Sequence, residues 1–176
     1  AYRWPIIMSL IATFHLLKKT NIDLLFLAAK TELRITEKKG LIFKKKITET
    51  IDNYPEFLKI NCTELEIFQY SGNAFNGLDL FLDTKGINYF TSGLQNESDK
   101  ISELRSTSAC IYDHVKASAL ILSLKEINIL EKELSEFIEE EYGVSDSEAL
   151  DAILASLKIL KKWLSSIKED EFGLLE

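Results

Sequence analysis

Cysteine is almost missing from this 176-residue chain: Cys62 and Cys110 are its only two, far apart in sequence. That scarcity argues against a disulfide scaffold and for a reducing compartment, so the expected location is cytoplasmic. Histidine is as scarce, with only His15 and His114. A structural zinc site takes four ligands, so Cys62 and His15 would have to be recruited from distant positions to join Cys110 and His114. Cys110 and His114 are expected four apart on one helix, beside Asp113, so both could face one ion. As a nucleophile and base they would lack a third group to orient the base, and as metal ligands they would be two of the four needed. A Gly-rich phosphate loop is also missing. The expectation is therefore a non-enzyme with no catalytic residue, no metal and no cofactor.

Glycine and proline are sparse too, at 7 and 2, and residues 94–142 contain neither. No flexible linker, repeat or low-complexity run is visible. Long apolar runs are lacking as well. The longest, residues 6–17, falls short of the roughly 20 residues that span a bilayer. Lys18 and Lys19 follow it directly, without a small-residue cleavage site. A buried helix is expected there, and no membrane partner.

What the chain does have is apolar content, 46%, enough to build a core. Its charge is unevenly spread: residues 1–60 carry 11 basic and 6 acidic side chains, residues 126–176 carry 5 and 14, and the whole chain is at −7. Such asymmetry points to intramolecular complementarity or to a partner on the basic face.

Hydrophobic spacing predicts a helix from Pro5 through Leu17 and a second, capped by Asp23, through Ala28 and toward Leu33. A third is expected from near Gly40 on the stripe Phe43, Ile47, Ile51, Tyr54 and Leu58, bent or ended by Pro55. Residues 65–70 and 78–82, around Gly72, Asn73, Asn76 and Gly77, read as a β-hairpin, because Leu78, Leu80 and Leu82 alternate with polar neighbours. Gly86 is expected to take a positive φ. An unbroken helix over 94–142 would run about 70 Å, too long for a compact domain, so a break is expected between 118 and 128. A last helix over 146–168 is placed by Gly143, a capping box of Ser145 with Glu148, and the stripe Leu150, Ile153, Leu154, Leu157, Leu160, Leu164 and Ile167.

The fold class expected is mainly α with one β-hairpin. A winged-helix-like unit over 1–92 would be followed by an antiparallel helical hairpin over 93–176 that packs on it. The order of elements over 5–92 and the phrase LDLFLDTKGINYF at 78–90 resemble the winged-helix superfamily. With the helix pair over 5–33, the layout is similar to the small middle-component subunits of bacterial ABC-three-component defence systems of the Lamassu type. The resemblance implies an adaptor within a larger complex, alongside an SMC-like ATPase and a nuclease effector that hold the ATP hydrolysis and the cleavage.

The alternative is a winged-helix DNA-binding regulator, dimeric through the C-terminal helices. Lys44, Lys45 and Lys46 on the third predicted helix, with Lys38 and Lys39 before it, are the candidate contacts to nucleic acid or to an acidic partner. Asn53 is the one clear base-reading candidate there. Trp163 and Phe137 are the candidate partner-interface residues, since Trp is enriched among interface hot spots.

Overall fold

The computed structural model describes residues 11–39, 44–142 and 147–176. Within them lie strand β1 (Phe14–Lys18), helix α1 (Ile22–Ala29), strands β2 (Glu32–Lys39) and β3 (Lys44–Ile51), helix α2 (Tyr54–Asn61) and strand β4 (Cys62–Glu64). Helices α3 (Ala74–Thr84) and α4 (Gln95–Arg105) follow, then strand β5 (Cys110–Asp113), helices α5 (His114–Ser123), α6 (Ile127–Tyr142) and α7 (Ser147–Ser165), and strand β6 (Glu171–Leu175). The chain is thus largely helical with antiparallel strands, a mixed α/β arrangement.

Four strands form one antiparallel sheet in the order β4-β1-β6-β5, while β2 and β3 form a separate two-stranded sheet. In the larger sheet β1 runs from Phe14 opposite Leu175 to Lys18 opposite Glu171. Side chains alternate across a strand, so each strand serves two faces. Phe14, Cys110, Tyr112 and Leu175 enter one core with α3, α5, α6 and α7, whereas Leu17, Ile111 and Leu174 enter a second core with α1, α2 and α4. The result is three layers, helices on both faces of the sheet. Strands β1 and β4 come from the first 92 residues and β5 and β6 from the rest, so both halves share the sheet.

Local chemistry accounts for the element ends. Asp113 caps α5 by accepting the backbone N–H of Lys116 at 2.7 Å, turning the chain from β5 straight into a helix. Pro55 occupies the first turn of α2, where its missing N–H costs nothing. Gly86 has the expected positive φ, 69°, after α3, and Ser106 ends α4 in the left-handed region at φ 53°. Gly173 is required by packing: a Cβ there would run into the Phe14 ring and Ile167.

Several expectations are corrected. The hairpin is not at 65–82. Residues 65–70 are not a strand, and 74–84 are helical because Phe75, Leu78, Phe81 and Leu82 are all buried at 3.6-residue spacing, with Leu80 left exposed. Strands occupy 44–51 in place of the third helix, where β-branched Ile47, Thr48, Thr50 and Ile51 favour extended backbone. Of the first predicted helix, Phe14 through Leu17 belong to β1, and residues 1–10 lie outside the described residues. The expected order of elements for a winged helix is therefore not the order observed. The break after α5, at 124–126, falls within the expected interval, but an unforeseen one, β5, cuts the same stretch.

The last helix holds. Ile153, Leu157, Leu160 and Leu164 of α7 are all buried, and Lys158 bridges to Glu131 of α6 at 3.0 Å, as antiparallel neighbours require. Gly143 and the cap residue Ser145 lie outside the described residues.

Candidate functional site

The β2–β3 ribbon stands apart from the layers. Its register places Glu37 opposite Lys46, Lys38 opposite Lys45 and Lys39 opposite Lys44, so all five candidate lysines fall on its last three rungs. They are brought together by a hairpin rather than by a helix. Residues 32–37 are all exposed, as are Lys46, Thr48, Glu49 and Thr50, and only Ile47 and Ile51 are half-buried. Leu33 and Ile35 are 71% and 64% exposed, far from the burial that strand residues of these types normally find. Residues 32–51 hold 6 basic and 3 acidic side chains in a chain of net −7. Among the described residues of the ribbon one ion pair is seen, Lys46 with Glu37 at 3.9 Å; it is long and solvent-exposed, and such pairs hold little.

At its root the ribbon is clamped. Asp52, just past β3, accepts both ends of the Arg105 guanidinium at 2.8 and 2.9 Å and the backbone N–H of Tyr54 at 3.1 Å. The same guanidinium lies over the Tyr54 ring, 4.3 Å from its centre, and the Tyr54 hydroxyl donates to Glu176 at 2.7 Å. Arg105 holds the Asp52 carboxyl below its ordinary range. Burial pushes the Tyr54 phenol and the Glu176 carboxyl up. Beside this clamp opens a cavity of about 560 Å³ lined by Tyr54, Arg105, Glu176, Phe75, Phe90 and Ser106 among others. Of its charged groups Arg105 is engaged by Asp52 and Glu176 by the Tyr54 hydroxyl, which suits holding the ribbon root in place.

The thiols and imidazoles are dispersed. Cys110 is buried on β5 with its Sγ 3.1 Å from the Phe90 carbonyl, and burial raises its pKa. His114 opens α5, so the two do not share a helix face as expected. Burial pushes the Cys62 thiol up to about 11. His15 is buried on β1 and its pKa is lowered by burial, against the opposing pull of Glu64. Protonated, buried thiols are poor nucleophiles. Among the described residues no group of three or more His, Cys, Asp or Glu side chains could hold a metal ion.

Of the two predicted interface residues Trp163 is buried and Phe137 half-buried. Trp163 is 1% exposed, stacked between Phe14 at 5.3 Å and Phe75 at 5.8 Å, and its Nε1–H donates to the Glu66 carbonyl at 3.2 Å. It is a core residue, because the edge of the α7 stripe faces the sheet and not solvent. Phe137 is partly buried, 5.7 Å from the Phe81 ring. The clamp residues Asp52, Tyr54, Arg105 and Glu176 were missed by sequence reasoning, since no local pattern links positions 53 and 122 residues apart.

Sheet, layers and ribbon together define a mixed α/β protein with an antiparallel sheet between helices and a projecting two-stranded arm. Compared with protein-family models, curated proteins and solved structures, the chain matches none. Among the described residues no helix is long and apolar enough to cross a membrane.

Proposed function

We propose that this chain is a non-enzymatic adaptor subunit that docks onto a larger assembly through the β2–β3 ribbon. The observation that carries this is the ribbon itself: eight paired residues on each strand, outside both buried cores, with exposed Leu33 and Ile35. A two-stranded ribbon is marginal in water on its own, and one retained in this form is suited to pairing with or wrapping a partner. Assembly with an SMC-like ATPase and a nuclease effector is the form of this reading that the middle-component resemblance offers. That resemblance loses the support of its wing phrase, because 78–84 is helical, and the adaptor reading rests on the ribbon instead.

The regulator reading keeps its basic segment, now on a ribbon. It loses the surface meant for dimerisation, because α7 spends its apolar stripe on the core. The test is co-purification of the full chain with its partners from the native host, beside the double variant Leu33→Glu with Ile35→Glu. Both positions are exposed, so the variant should fold normally. Stoichiometric partner chains that accompany the parent and are lost from the variant support the reading. Partners retained in full by the variant contradict it.

A further inference from the structure

We infer that the ribbon is a duplex-DNA-binding arm, its lysine-bearing end entering a groove between two rows of phosphates. The inference rests on reading the ribbon as the docking element: Leu33 and Ile35, nearer its root, serve the partner chains, and the lysine rungs beyond them serve DNA. Charge complementarity is the first support. Residues 37–46 contain five lysines and one glutamate, in a chain whose net charge is −7. On the three lysine rungs of the register Glu37 is the one acidic position.

Shape is the second support. Strands lie about 4.8 Å apart and rise about 3.3 Å per residue, so the ribbon is roughly 26 Å long, and with side chains it matches a major groove about 12 Å wide and 8.5 Å deep. The register puts lysine positions on both strands, and so along both edges of the ribbon. A groove presents phosphates on both sides of an inserted ribbon, whereas a bilayer presents them in one plane. The four residues between the strands, Gly40-Leu41-Ile42-Phe43, are apolar in sequence, which makes an anionic bilayer the occupant to discriminate against. Base reading is not part of the inference: the three rungs offer lysine and Glu37 but no Arg, Asn or Gln, so binding should be independent of sequence.

The test is a titration of the full chain with a labelled 20-base-pair duplex by fluorescence anisotropy at two salt concentrations. Five phosphate contacts give a slope of about −4.5 in log–log form, so a fourfold rise in salt should weaken binding by several hundred-fold. Two unrelated duplex sequences should bind alike, and the corresponding single strands more weakly. Replacing Lys38, Lys39, Lys44, Lys45 and Lys46 with Gln should remove binding while far-UV circular dichroism stays unchanged. The double variant Lys44→Gln with Lys46→Gln, the milder change, should reduce the slope by about 2. Vesicles of phosphatidylcholine with phosphatidylserine are the second arm and should bind more weakly than the duplex.

No duplex binding at low salt overturns the inference, as does a double variant that keeps the full slope. Vesicle binding that is tighter than duplex binding and lost in the five-lysine variant overturns it in favour of a membrane. Partner chains that still co-purify while duplex binding is missing would remove the DNA arm and leave the adaptor reading standing.

Discussion

The β1–β6 pair and the β2–β3 ribbon are both antiparallel, yet they are built to opposite ends. In the first, Phe14, His15, Leu17, Gly173, Leu174 and Leu175 are buried, and each strand feeds two cores. In the second, almost every described position is exposed and Leu33 and Ile35 face water. Burial of apolar area stabilises the first, at roughly 25 cal/mol per Å². The ribbon gains little from that source and is held by its own ladder and by the Asp52–Arg105 clamp at its root. Stability and contact surface are thus divided between two regions, and substitutions should report which region they touch.

The largest effect should come from Trp163→Ala. It removes two stacking partners and an indole hydrogen bond from the centre of the larger core, and should cost about 3 to 5 kcal/mol in urea denaturation. A loss below about 1 kcal/mol would place Trp163 outside the core. Next is Gly173→Ala, which forces a methyl into Phe14 and Ile167 and should cost about 1 to 3 kcal/mol.

Acid should act on the sheet through His15. Burial lowers its folded pKa below the ordinary 6.5, so the unfolded chain binds the proton first. Its contribution is full above pH 6.5 and is lost as pH falls from there toward the folded value. Comparing parent and His15→Leu by thermal melts at pH 7.5 and 5.5, the variant should lose less stability across that interval, even though Glu176, whose pKa is raised, shifts both proteins in the opposite direction. Equal losses in the two proteins would show that His15 is not the group responsible.

The smallest effect on stability should come from Leu33→Ser with Ile35→Ser, about 0.5 kcal/mol or less, because both side chains are already in water. A cost of 2 kcal/mol would mean that the ribbon is packed against the layers.

The same contrast explains which parts of the fold were legible in the sequence. The α7 stripe from Ile153 to Leu164 was readable because local 3.6-residue periodicity and burial agree there. The second helix was readable only in its existence: it spans Ile22–Ala29 with Asn21 and not Asp23 at its cap, Leu24 and Leu27 face water, and Leu33 belongs to β2. Residues 78–82 misled because Leu78, Leu80 and Leu82 satisfy a two-residue period as well, and what decided the matter was distant, with Gly77 lying against Ile153 of α7. Strands β1 and β6 pair residues such as Phe14 and Leu175 from opposite ends of the chain, which no local window can show. The five lysines were visible as a cluster, since charge needs no fold to be counted. Their place on a ribbon was not, because the stripe through Phe43, Ile47, Ile51, Tyr54 and Leu58 imitates a helix. The clamp that roots the ribbon had no sequence signal at all.

Hydrogen exchange of the full chain, with and without duplex DNA, tests the division of labour most directly. In the free protein the amides of 32–37 and 46–51 should exchange orders of magnitude faster than those of 14–17 and 172–175, since sub-global opening of the ribbon leaves both cores intact. Added duplex should slow the ribbon amides and leave the sheet unchanged. Ribbon amides as protected as β1 and β6 in the free protein, or protection by DNA that appears on the layers and not on the ribbon, would contradict the account.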